Sequence, residues 1–243
     1  MKKAIICDLY ESVEDKLKEL TIVDYVLGLG YVGVETELGL GLAYTFRDSI
    51  PGGCNATDQE FVSKPANVIA EKIFSDNLLE SAIGIATINS ILNNGTADNL
   101  EITERYDFKE KVVSMVGYFK PFEEKISPLA KKLYIFELKG YQNTMHPGQA
   151  KLYIPQSDIV LITGTTFINK TTEDFLSFVP DDTTIVFIGA STPLSNIISR
   201  YGDILGSYVM DKDYCKRVLA RGAGMKLLKK GLERRILGRD IIC

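Results

Sequence analysis

From Ile5 onward the apolar residues Leu9, Val13, Leu17 and Leu20 recur every three or four positions with lysines and acids between them, which predicts an amphipathic helix. The period then shortens. Ile22-Val23, Tyr25-Val26-Leu27, Tyr31 to Val34 and Leu40 to Phe46 are short apolar segments divided by glycines, the pattern of an antiparallel meander. A polar loop over residues 47–64 follows, and Pro65 is placed to open a helix. Asn77-Leu78-Leu79-Glu80 reads as a capping box, with Asn77 as N-cap and Glu80 reaching back, and starts a helix that ends near Asn93-Asn94-Gly95. Beyond a polar, aperiodic stretch over 94–108 the pattern changes again. Nearly continuous apolar runs at 111–116, 133–136, 159–163, 184–188 and 205–210 read as strands buried on both faces. Helical segments at 122–131, 172–178, 194–201 and 214–220 separate them. The expected architecture is α/β: an α+β domain with an antiparallel meander over 1–108, then a Rossmann-like, doubly wound parallel sheet over 109–243.

The 243 residues suffice for one large or two small cores, and their apolar and charged fractions of 45% and 25% exclude a disordered or collagen-like chain. No run approaches the roughly 18 apolar residues of a membrane span. Asp8, Glu11, Glu14 and Asp15 interrupt the N-terminal apolar stretch before a secretory core is complete, so a cytoplasmic protein is expected. Charge is uneven: residues 211–243 hold ten Lys/Arg against four Asp/Glu, which leaves the rest strongly acidic. That basic C-terminal helix reads as a solvated face or a complement to the acidic body, since no nucleic-acid-binding motif accompanies it. Cys7, Cys54, Cys215 and Cys243 form no C-x-x-C pair and His146 is the sole histidine, so no dedicated protein metal cage is encoded.

Gly28-Leu29-Gly30-Tyr31-Val32-Gly33 satisfies the G-x-G-x-x-G spacing, with Asp48 20 residues beyond Gly28. The mechanism, however, requires these glycines to open a helix whose amides hold a pyrophosphate. Here Val34 to Gly41 continues as more strand, so the dinucleotide reading is rejected.

In an open parallel sheet, ligands sit beyond the carboxyl ends of the strands. Three strand ends there share a composition: Gly117-Tyr118-Phe119, Thr163-Gly164-Thr165-Thr166 with Asn169 beyond, and Gly189-Ala190-Ser191-Thr192. Each places a glycine where backbone can approach a ligand, and two follow it with paired hydroxyls suited to an anion. Taken singly, such hydroxyls cap helices; repeated on neighbouring strands, they mark a crevice. Glu137 stands where Rossmann-like domains place an acid for ribose hydroxyls, and Tyr118 and Phe119 are candidates for stacking on a flat heterocycle. From the first half, Arg47 is a candidate anion partner and Asn89 an amide within an otherwise apolar helix. Cys54 is a candidate soft ligand or nucleophile, though a lone loop thiol is usually neither. No Walker A motif is present, so ATP is not indicated, whereas an adenosyl, pterin-like or flavin-like ligand is compatible.

Val113 to Phe119, the segment Asp158 to Asn169, and Gly189 to Leu194 together resemble the heavy-metal chelation family, as do Gly41 to Thr45 and Gly84 to Ser90 in the first half. The resemblance spans nearly the whole chain. It implies an enolase N-terminal-like domain followed by a Rossmann-like domain partly like methyltransferases, with a site between them. It also implies a role in condensing or hydrolysing molecules on routes to flavins, pterins or siderophore-like chelators. Ala190 stands where the family's turn has proline, a change that keeps the hydroxyls. The expected ligand is an anionic heterocycle, with any heavy metal held through that organic ligand. A non-catalytic carrier and an S-adenosylmethionine-dependent methyltransferase are the alternatives. Nothing in the sequence indicates a nucleic-acid or membrane partner, and a homodimer is the base-rate expectation.

Overall fold

The computed structural model describes residues 3–50, 60–92 and 95–239. Helix α1 (Ile5–Lys18) buries Ile5, Leu9, Val13 and Leu17 along the expected stripe. Strands β1 (Ile22–Leu27), β2 (Tyr31–Thr36) and β3 (Gly39–Tyr44) form an antiparallel three-stranded sheet in the order β1-β2-β3. Gly28 to Gly30 turn β1 into β2, with the Gly28 amide donating to the Tyr31 carbonyl at 3.1 Å. No helix follows these glycines, as the rejection of the dinucleotide motif requires.

Helix α2 (Ala66–Ala70) starts directly after Pro65, and helix α3 (Leu78–Asn89) is buried almost all round. A helix apolar on every side belongs between layers. It lies against β2, β3 and α2, and also reaches the second half, where the Ser81 hydroxyl donates to the Ile168 carbonyl at 2.8 Å. Asn77 caps α3 by accepting from the Leu79 and Glu80 amides at 2.9 and 3.3 Å. Glu80 does not reach back as the sequence predicts. Its carboxylate takes Lys72 at 2.8 Å and the Ser75 hydroxyl at 2.6 Å, because an adjacent cation is a stronger partner than a backbone amide.

The remainder comprises β4 (Thr96–Ala97), α4 (Ile102–Arg105), β5 (Val112–Val116), α5 (Lys120–Ile126), β6 (Lys132–Phe136), α6 (Ala150–Tyr153), β7 (Ile159–Thr163), α7 (Thr165–Ile168), α8 (Thr172–Leu176), β8 (Thr184–Ile188), α9 (Asn196–Ser199), β9 (Asp203–Val209), α10 (Lys212–Ala220), α11 (Met225–Leu228) and β10 (Leu232–Leu237). Seven strands join in the order β4-β10-β9-β8-β7-β5-β6. From β6 to β9 every pairing is parallel, which is the Rossmann-like part; β10 and β4 add an antiparallel edge. The basic C-terminal stretch is therefore not one helix. It holds α10, the single turn α11 and the strand β10, whose carbonyls and amides pair with β9 along its whole length. The segment read as a helix over 194–201 forms only the one turn of α9, after Pro193.

Alternate residues of β7 face two cores. Val160 and Ile162 join α1, α3 and the small sheet in one large cluster, while Ile159 and Leu161 pack on the other face with Phe108 and Ile126. The first half thus packs its apolar side on one face of the large sheet. A third cluster joins Leu40 and Leu42 of β3 to Val218 and Leu219 of α10. Around it, Glu35 is buried and clamped by Lys212 and Lys216, each at 2.7 Å, and Lys216 also meets Asp24 at 2.9 Å.

Candidate functional site

The chain leaves β5 for β6 on one side and then crosses to β7 on the other, so the β5/β7 border is the topological switch point. Backbone geometry there is unusual. Gly117 ends β5 at φ +89° and Gly189 ends β8 at φ +104°, values that L side chains rarely adopt. Space is short as well: a Cβ on Gly117 would lie 2.9 Å from the Thr163 side chain, and one on Gly164 would lie 2.4 Å from the Thr192 amide nitrogen. The three glycines therefore draw the three strand ends together.

Phe119 lies across them. Its ring is 3.4 Å from where a Gly117 Cβ would be and 3.5 Å from where a Gly189 Cβ would be, and its other side stacks on Phe122 at 5.8 Å. The aromatic ring of the crevice is thus held by its glycines. Gly189→Val is expected to force Phe119 off this seat and to cost about 1–3 kcal/mol in backbone strain. Urea unfolding checks the cost, and an unchanged midpoint contradicts the seat.

The hydroxyls divide into two groups. Thr166 is buried and turned inward: it donates to the Thr163 carbonyl at 2.8 Å and accepts from Thr172 at 2.9 Å. Asn169 is similarly occupied, its Oδ1 accepting from Thr171 at 2.7 Å. Thr163 and Thr165 share a 3.1 Å hydroxyl contact at the head of α7, where Thr165 is half-buried. Both hydroxyls of the β8 turn are buried. Ser191 accepts the Tyr44 amide at 2.9 Å, which ties the end of β3 to the strand ends of the second half. Thr192 Oγ1 lies over Gly164 and among the described residues has no hydrogen-bond partner, as is true of Asn89 Oδ1. Asn89 is the last residue of α3, and its amide nitrogen donates to the Leu42 carbonyl at 2.9 Å and the Ser191 carbonyl at 3.4 Å. This side chain stands at the seam between the halves, close to Ser191.

Glu137 follows β6. Its two oxygens accept the Tyr118 amide at 2.9 Å and the Lys139 amide at 3.0 Å, so it braces the switch-point loops. Tyr118 donates its hydroxyl to Glu123 at 2.7 Å and leans on Tyr141. At the rim, Arg47 begins a short turn after β3 and is exposed, its nearest acid the adjacent Asp48 at 3.3 Å. Lys139 was not singled out from sequence. Its ammonium bridges the halves, meeting Asp48 at 2.5 Å and donating to the Tyr44 hydroxyl at 3.1 Å, and those two bonds raise its pKa above the usual lysine value. The signal was present only as a lysine two positions past Glu137. Cys54 and the glycines beside it lie outside the described residues.

Gly117, Gly164, Gly189 and Phe119 thus gather at the strand ends with Thr165 and Ser191, and Lys139 and Arg47 stand near the end of β3. A family model described as "Putative heavy-metal chelation" matches residues 98–238, more than half of the chain, and a second of the same description matches residues 10–92. The chain belongs to this family. Two solved structures show the same fold. One is a protein of unknown function from Desulfitobacterium hafniense DCB-2, at 21% identity and a TM-score of 0.81, covering 96% of this chain and 98% of the other. The second, of unknown function from Pyrococcus horikoshii, gives 18% identity and a TM-score of 0.84, covering 96% and 99%. No curated protein is significantly similar in sequence.

A member of a heavy-metal chelation family must be asked where a metal would sit. Among the described residues no three His, Cys, Asp or Glu side chains gather closely enough to hold an ion. His146 Nδ1 instead accepts the Gly148 amide at 3.1 Å, and Cys215 is buried with its thiol pushed up to about 11 by that burial. These donors do not fit a metal held by protein ligands alone. Among the described residues no helix is long and apolar enough to cross a membrane.

Proposed function

We propose that this heavy-metal chelation family member binds an anionic heterocyclic small molecule, of the pterin, flavin or siderophore-like kind, in the crevice between its halves. Any heavy metal is held through that organic ligand. The observation that carries the reading is the meeting, at one switch point, of Gly117 and Gly189 at positive φ with a seam closed by Ser191 and a mouth carrying Lys139 and Arg47. Glycine backbone admits close approach, the half-buried Thr165 hydroxyl supplies a donor, and the exposed edge of Phe119 supplies an apolar contact. Lys139 and Arg47 share the single acid Asp48, and the positive charge left over favours a negative group entering from solvent.

Native mass spectrometry beside elemental analysis, on protein purified without chelators, tests the proposal. A retained heterocycle is expected, and its occupancy should fall about tenfold in Lys139→Met and Thr165→Val. Unchanged occupancy in both variants removes the crevice as the site. Conversion of the retained compound on incubation indicates an enzyme of condensation or hydrolysis, and its intact recovery indicates a carrier. The adenosylmethionine reading has less support, because both Glu137 oxygens already accept backbone amides where ribose hydroxyls would bind. Isothermal titration with adenosylmethionine is expected to give no saturable heat.

A further inference from the structure

A cavity of about 920 Å³ opens beside the amino-terminal end of β8, at the opposite end of that strand from Gly189. The volume is within the range that takes a small organic ligand. One wall is apolar, built from Ile5 and Ile6 at the start of α1, Leu176 and Val179 around the end of α8, and Ile185 on β8. Cations line the rest: Lys3, Lys170, Arg200 and Arg239. The acids there are Glu173 and Asp181.

The charges are not evenly matched. Lys3, just before α1, is satisfied by Glu11 and Asp8 on that helix. Glu173 is committed to the uncapped start of α1, accepting the Ile5 amide at 2.6 Å. Lys170, half-buried at φ +61°, donates to the Ser75 carbonyl at 2.6 Å, the Ser81 hydroxyl at 3.0 Å and the Ile168 carbonyl at 3.1 Å, all neutral acceptors. Desolvation draws its pKa below the ordinary lysine value. Among the described residues Arg200 and Arg239 form no ion pair. Three further cations, Lys170, Arg200 and Arg239, thus line one cavity with the two acids Glu173 and Asp181, and the remaining wall is hydrocarbon. This excess of cations over acids in the lining favours an anion there.

We propose that this cavity binds a long-chain carboxylate, its alkyl chain along Ile5, Ile6, Leu176, Val179 and Ile185 and its head group at Arg200 and Arg239. The apolar wall favours an amphiphile over an inorganic anion, and the excess of cations over acids in the lining selects a negative head over a neutral or cationic one. The site is separate from the crevice and does not depend on the reading given to it.

Dodecanoate, below its micellar concentration and read by displacement of a fluorescent polyene fatty acid, is the probe. Saturable one-to-one binding is expected, with dodecyltrimethylammonium and dodecanol at least about tenfold weaker. Arg200→Glu combined with Arg239→Glu, both exposed positions, should weaken dodecanoate about tenfold or more without moving the thermal midpoint. Three results overturn the proposal: no saturable binding, equal binding of the cationic amphiphile, or an affinity unchanged in the double variant. Loss of dodecanoate in Thr165→Val with full retention in the double variant places the amphiphile in the crevice and also overturns it.

Discussion

Gly41→Ala is expected to destabilise the protein by about 3 kcal/mol or more, near the upper end of what overpacking a core costs. Gly41 lies in β3 where that strand crosses α3, and a Cβ there would fall 2.0 Å from the Ala86 carbonyl oxygen and 2.3 Å from the Ser90 nitrogen. Those two atoms form a hydrogen bond of 3.0 Å that closes the end of α3. Neither can yield as a side-chain tip does, so the helix and strand must separate or the bond must break. A chain of this length loses about 2–4 °C of melting temperature per kcal/mol, which makes the expected fall about 10 °C. The effect extends to the crevice, because the same methyl would lie 2.7 Å from the Asn89 carbonyl carbon, and Asn89 spans Leu42 and Ser191. Calorimetry of the variant checks the first claim. A fall of less than about 3 °C would mean that the layers part cheaply.

The second large effect is expected at Glu35. Burial alone would raise its pKa, but the hydrogen bonds from Lys212 and Lys216 outweigh it and the folded value is lowered. A lowered carboxylate stabilises the fold fully above its unfolded pKa of about 4.3, and that contribution is lost as the pH falls through the folded value. Breaking a buried pair costs about 3–5 kcal/mol, and the partial exposure of Lys212 and Lys216 reduces this, so Glu35→Gln should cost about 2 kcal/mol at pH 7. Urea unfolding of both proteins should show that gap at pH 7 and a smaller one below about pH 4. A gap that stays constant across this range falsifies the assignment to the charged carboxylate.

The sequence was most legible where a residue's neighbours in the chain are also its neighbours in space. Ile159 to Thr163 reads as a buried parallel strand because every position is apolar or small, and both faces are in fact covered. The α1 stripe and the Asn77 cap are local in the same sense. Strand β10 was hidden because Leu-Glu-Arg-Arg-Ile-Leu carries its charges on a half-buried edge, where Arg235 lies over Tyr208 at 4.5 Å and Arg234 donates to the Asp98 carbonyl. Charged side chains with long aliphatic stems cover such edges as well as apolar ones. At the crevice, glycine positions at strand ends could be read in advance, since topology alone locates them. Which hydroxyls face inward could not. Thr166 is consumed by Thr163 and Thr172, and Ser191 by Tyr44, a partner 147 positions away in the chain. Lys139 was missed for the same reason, because its partners belong to the other half.

The edge formed by β4 and β10 bears on how the chain is made. Thr96 pairs with Ile236, which follows it by about 140 residues. At about 5–20 residues per second, the ribosome supplies that partner on the order of ten seconds after β4 has been synthesised. Throughout that interval the meander and α3 can assemble locally, while the face of the large sheet against which they pack is still incomplete. Chaperone dependence during synthesis is therefore expected to fall on the apolar faces of α1 and α3, and to end when β9 and β10 emerge.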